Sequence, residues 1–315
     1  MLPLTSFFCD VLPARPRDPD YYKAFLTQYT LITVPAIFSQ GILTPGSGKV
    51  GEKAELDSDV DAFVNELPDN AQARRQLFGK LCFASQLDPG EMIQESEKRT
   101  FVSQSFIDRS KEVGISNREL ILSALNASAF LNYFCLFEDT IKQIYHRRFG
   151  YPKDGTMVAG GEIVSVCLKK ILDGNNITES FSKELARRSK FFVSFETLSA
   201  TWDLMNLIRN RLIHHGGYYG KASKITFKKR LDAIVEELKG DECPVTASLF
   251  LDSLEPIEKE LTKTGRLTFC NALENCIRNL SLFVVESLLL SERASRRNKH
   301  GKPHANERKP ERETV

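Results

Sequence analysis

SNRELILSALNASAFLNYFCLFEDTIKQIYHRRF, residues 116–149, is the stretch that decides the fold class of this chain. Ser116 followed by Glu119 forms the pattern of a capping box, which predicts that a helix begins here. Large apolar residues then recur at helical spacing, at Leu120, Leu122, Leu125, Phe130, Phe134, Phe137, Ile141 and Ile144. Gly150 and Pro152 follow the run and predict its end. The pattern therefore predicts one long helix or two helices end to end.

Helical patterns extend over most of the chain on both sides of this stretch. Residues 21–39 are apolar with Thr and Val and fit either a helix or a strand, and we favour a helix. Further helical patterns cover residues 58–67, 70–86, 161–172, 177–189, 196–215, 225–239 and 255–291. Sustained period-two alternation is almost absent. We therefore predict an all-α fold, a helical bundle.

The chain is predicted to have three parts. Residues 116–291 form the bundle, residues 1–115 form a mainly helical accessory segment, and residues 292–315 form a disordered basic tail without apolar periodicity. The tail has eight Lys/Arg against four Glu, whereas the whole chain has a net charge of only +2. Any attraction to nucleic acid must therefore come from local patches or from the tail.

The cysteine pattern and the hydropathy of the sequence indicate the cellular compartment in which we expect the protein. The seven cysteines of the 315 residues are scattered, and none of them has the spacing of a zinc pair. We expect reduced, mostly buried thiols. The sequence has no secretory signal pattern, and no run approaches the roughly 20 uninterrupted apolar residues of a membrane span. We therefore expect a soluble, cytoplasmic protein without a membrane partner.

One segment resembles a phosphate-binding motif and another resembles a calcium-binding motif, but each has the wrong residue type at a required position. Residues 45–50, PGSGKV, resemble a phosphate-binding loop, but Leu43 stands at the first glycine position and Val50 at the Ser/Thr position. Residues 57–61, DSDVD, resemble the start of a calcium loop, but Ala62 stands at its glycine position. We predict no metal site and no cofactor.

A different pattern lies near the end of the helix predicted at residues 196–215. Asn206, Asn210 and His214 are four residues apart and share one helix face, with Arg209 at its border. The opposite face is apolar and is expected to pack on the core. Histidine exchanges protons near neutral pH, and arginine holds phosphate with a rigid fork of donors. The pattern therefore indicates chemistry on a phosphodiester.

A structural interpretation of the same residues is also open. Arg209 and Arg211 fit surface cations near a helix C-terminus. His214 and His215 favour the negative end of the helix dipole, and Gly216 fits a C-cap. We favour the functional interpretation because Lys and Glu would serve equally well on a face that met only water.

Arg209, Asn210 and His214 resemble the signature of the HEPN family of helical-bundle endoribonucleases and nucleotide-binding domains. That signature is an arginine, an adjacent polar residue and a histidine four to six residues away. His215 also falls within this spacing, so the identity of the histidine stays open. His214 is preferred because it shares a face with Asn210.

Three further residues are candidates to support this site. Asn206 lies on the same face of the helix, and Glu138 and Lys142, at i and i+4 of the long helix, resemble polar positions that face the active centre in such domains. An ordinary surface ion pair explains Glu138 and Lys142 as well.

The resemblance covers residues 116–291 and implies a metal-independent endoribonuclease that acts as a homodimer, with both motifs in one cleft. His214 would transfer protons, Arg209 would stabilise charge on the phosphate, and Asn210 would orient the histidine or the scissile group. Attack by the ribose 2′-OH would leave 2′,3′-cyclic phosphate and 5′-OH ends, which restricts the substrate to RNA.

The resemblance also implies a biological setting, in a toxin–antitoxin system, antiviral defence or RNA processing. Residues 1–115 would then serve to sense a signal or to bind an inhibitory protein partner. Two alternatives stay open. One is a non-catalytic HEPN-like module that binds a nucleotide or a protein, and the other is a helical scaffold whose polar face is an interface.

Overall fold

The protein is described by a computed structural model that covers residues 11–43, 52–69, 103–151, 158–189, 191–192, 194–239, 261, 265–269 and 271–300. Within these residues there are nine α-helices, one π-helical segment and no β-strand, which confirms the predicted all-α helical bundle. The helices are α1 (Asp20–Leu43), α2 (Glu52–Asp69), α3 (Ser103–Val113), α4 (Asn117–Phe149), α5 (Lys169–Gly174), α6 (Thr178–Arg188), α7 (Phe195–His215), α8 (Lys221–Lys239) and α9 (Asn271–His300), with the π-helical segment at Ile163–Leu168. The patterns at residues 45–50 and 70–86 lie outside the described residues.

Helix α4 is one continuous helix, which decides between the two predicted arrangements. The predicted capping box is present, because Ser116 Oγ accepts from the Glu119 amide at 3.2 Å and Glu119 Oε2 accepts from the Ser116 amide at 3.1 Å. Gly150 follows the helix with φ +79°, a conformation that favours glycine. The buried face of α4 carries three phenyl rings with no exposed surface, those of Phe130, Phe134 and Phe137.

Helix α1 packs along α4, and this contact makes residues 20–43 part of the same core. Tyr22, Phe25 and Tyr29 are buried, and the Tyr29 ring centroid lies 5.5 Å from that of Tyr133 in α4. The pattern at residues 21–39 is therefore a helix, as predicted. Another side of α1 carries large apolar side chains that are each more than half exposed, namely Leu31, Val34, Phe38 and Ile42.

One helical prediction differs from the structure because backbone hydrogen bonds are made elsewhere. Within the pattern at residues 255–291, residues 265–269 are not helical. Gly265 has φ +72°, its carbonyl accepts from the Tyr219 amide at 2.6 Å, and the Leu267 amide donates to the Gly217 carbonyl at 3.1 Å. Residues 161–172 begin with the π-helical segment rather than a regular α-helix.

Helix α9 continues to His300, into the segment 292–315 that was predicted to be disordered. Near the start of this extension, an ion pair connects α9 to the chain before α1. Arg293 donates from Nε to Asp18 Oδ1 at 2.9 Å and from Nη2 to Asp18 Oδ2 at 2.6 Å. The Asp18 carboxylate also accepts from the Arg15 amide at 2.6 Å, and the side chains of Asp18 and Arg293 are only 4% and 16% exposed. The bidentate pair therefore joins the chain before α1 to the last turns of α9.

Asp18→Asn should lower the free energy of unfolding by about 2 kcal/mol near neutral pH, because Arg293 loses a charged, bidentate acceptor. The hydrogen bonds from Arg293 are the main cause of a lowered pKa for Asp18, below its ordinary value of 3.8. This stabilisation is therefore fully present above about pH 4 and is lost as the pH falls through the folded-state pKa. Chemical denaturation of both proteins between pH 2 and about pH 7 measures the difference.

A matched control is Asp20→Asn, because Asp20 is also an aspartate at the start of α1, but its side chain is 85% exposed and lies 3.7 Å from Lys23. This substitution should change the free energy of unfolding by less than about 0.5 kcal/mol. Equal effects of the two substitutions would show that the Asp18–Arg293 pair does not anchor the end of α9.

Among the described helices, α4 alone is long and apolar enough to meet the length and composition criteria of a membrane span. Of its most apolar window, 44% is buried inside the fold. A core helix of a soluble protein meets the same criteria, so this feature is weak evidence for a span.

Candidate functional site

The predicted catalytic residues lie on α7, whose start and buried face are fixed by local interactions. Ser194 caps the helix by accepting from the Thr197 amide at 3.0 Å. On the side predicted to pack on the core, five apolar residues have no exposed surface: Leu198, Trp202, Leu204, Met205 and Ile208. The polar residues Thr197 and Thr201 are fully buried on the same side. Because this side is buried, the face that carries Asn206 and Asn210 is turned away from the centre of the core.

Trp202 joins α7 to two other parts of the fold. Its ring stacks on Phe134 of α4 with centroids 4.4 Å apart and an interplanar angle of 12°. Its indole Nε1 donates to the Gly160 carbonyl at 2.8 Å. The indole therefore places the segment around Gly160 against both α4 and α7.

Arg209 is partly buried and is held by its neighbours. Nη1 donates to Asn210 Oδ1 at 2.9 Å, and the guanidinium carbon lies 5.7 Å from the centroid of the Phe134 ring. Its Nε is buried and has no hydrogen-bond partner among the described residues. Arg209 and Asn210 thus form a pair in which Asn210 orients the guanidinium.

Asn206 of α7 and Glu138 of α4 meet at the same point. A methyl group on Gly160 would lie 3.3 Å from Asn206 Oδ1 and 3.5 Å from Glu138 Oε2. A methyl group on Gly161 would lie 3.1 Å from Asn206 Nδ2. The two glycines therefore let the backbone approach both polar side chains closely. The sequence analysis named Asn206 and Glu138 but missed Gly160 and Gly161, although adjacent glycines are a signal of close backbone approach.

Lys142 and Glu138 form the predicted ion pair, with Lys142 Nζ donating to Glu138 Oε1 at 2.5 Å. Their side chains are only 16% and 12% exposed, so the pair is not an ordinary surface ion pair. It lies beside Asn206, with part of its surface open to solvent.

Cys135 is a further member of this region that the sequence analysis missed. Desolvation raises the pKa of its thiol, and the nearby positive charge of Arg209 opposes this shift. Cys135 is exposed, unlike Cys167 and Cys276, so the expectation of mostly buried thiols holds for two of the three free cysteines described.

His214 and His215 lie at the exposed end of α7. Gly216 ends the helix with φ +54°, and the Gly217 amide donates to the Arg211 carbonyl at 2.9 Å. Both imidazoles are exposed, and neither is hydrogen-bonded within the described part of the chain. The structure brings Arg209 and Asn210 together and places Asn206 with Glu138 and Lys142. His214 and His215 lie further along α7, outside this group. The preference for His214 as the histidine of the site therefore stays a prediction.

Among the described residues, no group of three or more His, Cys, Asp or Glu side chains has an arrangement that would hold a metal ion. Comparison of the chain with family models, curated proteins and solved structures finds no match. What the structure defines is the class, an all-α helical bundle with a polar group between α4 and α7.

Proposed function

We propose that this protein is a metal-independent endoribonuclease of the HEPN type. The observation that carries the proposal is the arrangement on α7. Arg209 is held by Asn210 over the Phe134 ring, on a helix whose last turn carries the exposed His214. A fixed guanidinium suits a phosphate, and an exposed imidazole suits proton transfer to a substrate that arrives from solvent.

The polar residues of α7 support a division of roles in RNA cleavage. His214 takes the proton of the ribose 2′-OH as the O2′–P bond forms. The P–O5′ bond breaks, and the departing O5′ takes a proton from a second imidazole. Arg209 stabilises the charge that develops on the phosphate, and Asn210 keeps the guanidinium in place. The products carry a 2′,3′-cyclic phosphate and a 5′-OH.

A second copy of the chain is the proposed source of the second imidazole. Ile213 and Tyr218, on either side of the histidines, are large apolar side chains that are 47% and 53% exposed. A surface of this kind favours contact with another protein surface. A homodimer formed there would bring both copies of Arg209 and His214 into one cleft.

The proposal extends to the setting of the enzyme. An RNase of this kind would act in the cytoplasm, in a toxin–antitoxin system, antiviral defence or RNA processing. Residues 1–115 would bind an inhibitory or sensor protein partner. Comparison of the full chain with residues 116–315 tests this regulatory role only if the shorter chain folds, because α1 contributes to the core.

A second candidate function is a non-catalytic nucleotide- or protein-binding module. It is favoured by the absence of hydrogen bonds to either imidazole within the described residues, because a catalytic histidine is commonly oriented by a partner. In this case Arg209 would hold a phosphate without cleavage.

The deciding experiment incubates the purified full chain with mixed RNA in EDTA and identifies the ends of the products. Cleavage that leaves 2′,3′-cyclic phosphate and 5′-OH ends is the expected result. Cleavage that requires magnesium would overturn the mechanism, and RNA binding without cleavage would favour the binding module. Sedimentation of the same sample tests the homodimer.

A further inference from the structure

One face of α4 continues beyond the candidate site. Glu138, Lys142, Tyr145 and Phe149 are at i, i+4, i+7 and i+11, so they form one stripe along the helix. At a rise of 1.5 Å per residue, Phe149 lies about 16 Å along the axis from Glu138. The stripe therefore leads from the polar group beside Asn206 to the C-terminal end of α4.

Aromatic rings are grouped and exposed at this end of α4. The Tyr145 and Phe149 ring centroids are 5.1 Å apart, and Phe149 is 41% exposed. Tyr151 is 78% exposed and stacks on His146 with centroids 4.4 Å apart and an interplanar angle of 12°. Because one face of the Tyr151 ring lies on His146, the ring is held in place while its other face is open to solvent.

A cation lies over two of these rings. Lys170 Nζ lies 5.4 Å from the centroid of Tyr145 and 4.9 Å from that of Phe149, and it donates to the Tyr145 hydroxyl at 3.3 Å. Arg147 is also exposed on the last turn of α4. Nearby, the Asp173 carboxylate accepts from the Thr178 hydroxyl at 2.9 Å.

We propose that Tyr145, Phe149, Tyr151 and Lys170, the aromatic platform, bind the bases and the adjoining phosphate of single-stranded RNA next to the candidate site. This inference rests on the proposed function, because it assigns the substrate of the same site. Exposed aromatic rings stack on bases of any sequence, and neighbouring cations track the phosphates. The platform takes unpaired nucleotides, since bases in a duplex do not expose their faces.

Equilibrium binding tests the platform independently of cleavage. The parent is the full chain with His214→Ala and His215→Ala, and the probe is a single-stranded RNA of about 12 nucleotides that contains 2-aminopurine. In this parent, Tyr151→Ala and Phe149→Ala should each raise Kd about tenfold and reduce the change in 2-aminopurine fluorescence on binding. Lys170→Gln should raise Kd and weaken its dependence on salt.

Phe38→Ala is the matched control, because Phe38 is an aromatic residue of α1 that is 68% exposed and lies outside the platform. It should leave Kd unchanged within about twofold. An oligonucleotide with abasic sites at the tested positions should bind as weakly as RNA binds to the ring variants. Circular dichroism verifies that each variant is folded.

The outcomes separate the platform from the nuclease. An unchanged Kd for both ring variants, equal affinity for the abasic probe, or no RNA binding by the parent would overturn the platform. If the ring variants weaken binding while the wild-type chain cuts no RNA, the platform stands and the proposed cleavage fails. If the wild-type chain cuts RNA and the ring variants bind it normally, the platform alone fails.

Discussion

Arg209→Ala should reduce the rate of RNA cleavage about a thousandfold, because the charge that develops on the phosphate would lose its fixed donor. Arg209 is held by Asn210 and by the Phe134 ring, so its position is set before the substrate binds. Arg209→Lys should lose most of this rate as well, because an ammonium group keeps the charge but not the planar fork. Single-turnover cleavage of a labelled RNA in EDTA measures both effects.

Arg211→Ala is the matched control for Arg209. Arg211 lies two residues further along the same helix, and it is not part of the proposed site. Its removal should change the cleavage rate by less than about threefold. If Arg209→Ala and Arg211→Ala have equal effects, the arginines act only as general positive charge and the proposed role of Arg209 fails.

Separate substitution of the two histidines decides which one transfers the proton. His214→Ala should reduce the rate about a thousandfold, within the range for the loss of a general acid–base group. His215→Ala should have a much smaller effect. The opposite order would assign the role to His215, whereas full activity in both single variants and in the double variant would exclude imidazole chemistry.

The parts of the fold that follow from local sequence were predictable. The capping box at Ser116 and Glu119 and the long apolar periodicity of α4 depend on residues within one helix. The non-helical residues 265–269 depend instead on hydrogen bonds with residues 217 and 219, about 50 positions away in the chain. The contact that holds the start of the α9 extension likewise involves Asp18, near the opposite end of the described chain. The periodicity of apolar residues in the sequence does not predict either contact.

In the candidate site, too, some contacts follow from local sequence and others depend on packing between helices. The shared face of Asn206, Asn210 and His214 follows from helical geometry, and the Arg209–Asn210 contact is one between neighbours in sequence. The meeting of Asn206 with Glu138 is different, since it requires α4, α7 and the glycine pair to pack at one point. The burial of the Glu138–Lys142 pair is a consequence of that packing, which the i, i+4 spacing alone does not indicate.

Trp202→Ala should lower the free energy of unfolding by about 3–5 kcal/mol, since it empties a fully buried position. The indole stacks on Phe134 and lies 5.0 Å, centroid to centroid, from Phe137, so two rings of α4 lose a partner. Because Trp202 is the single tryptophan of the chain, unfolding must be followed by far-UV circular dichroism rather than by fluorescence. A change below about 1 kcal/mol would contradict the packing between α4 and α7.

Trp202→Phe separates packing from the hydrogen bond. A phenyl ring keeps much of the stacking on Phe134 but leaves the Gly160 carbonyl without the indole donor, which should cost about 1–2 kcal/mol. The segment around Gly160 would then be held less firmly against Asn206 and Glu138. We therefore expect slower RNA cleavage by a protein that remains folded, whereas an unchanged rate would show that the position of Gly160 does not matter to the site.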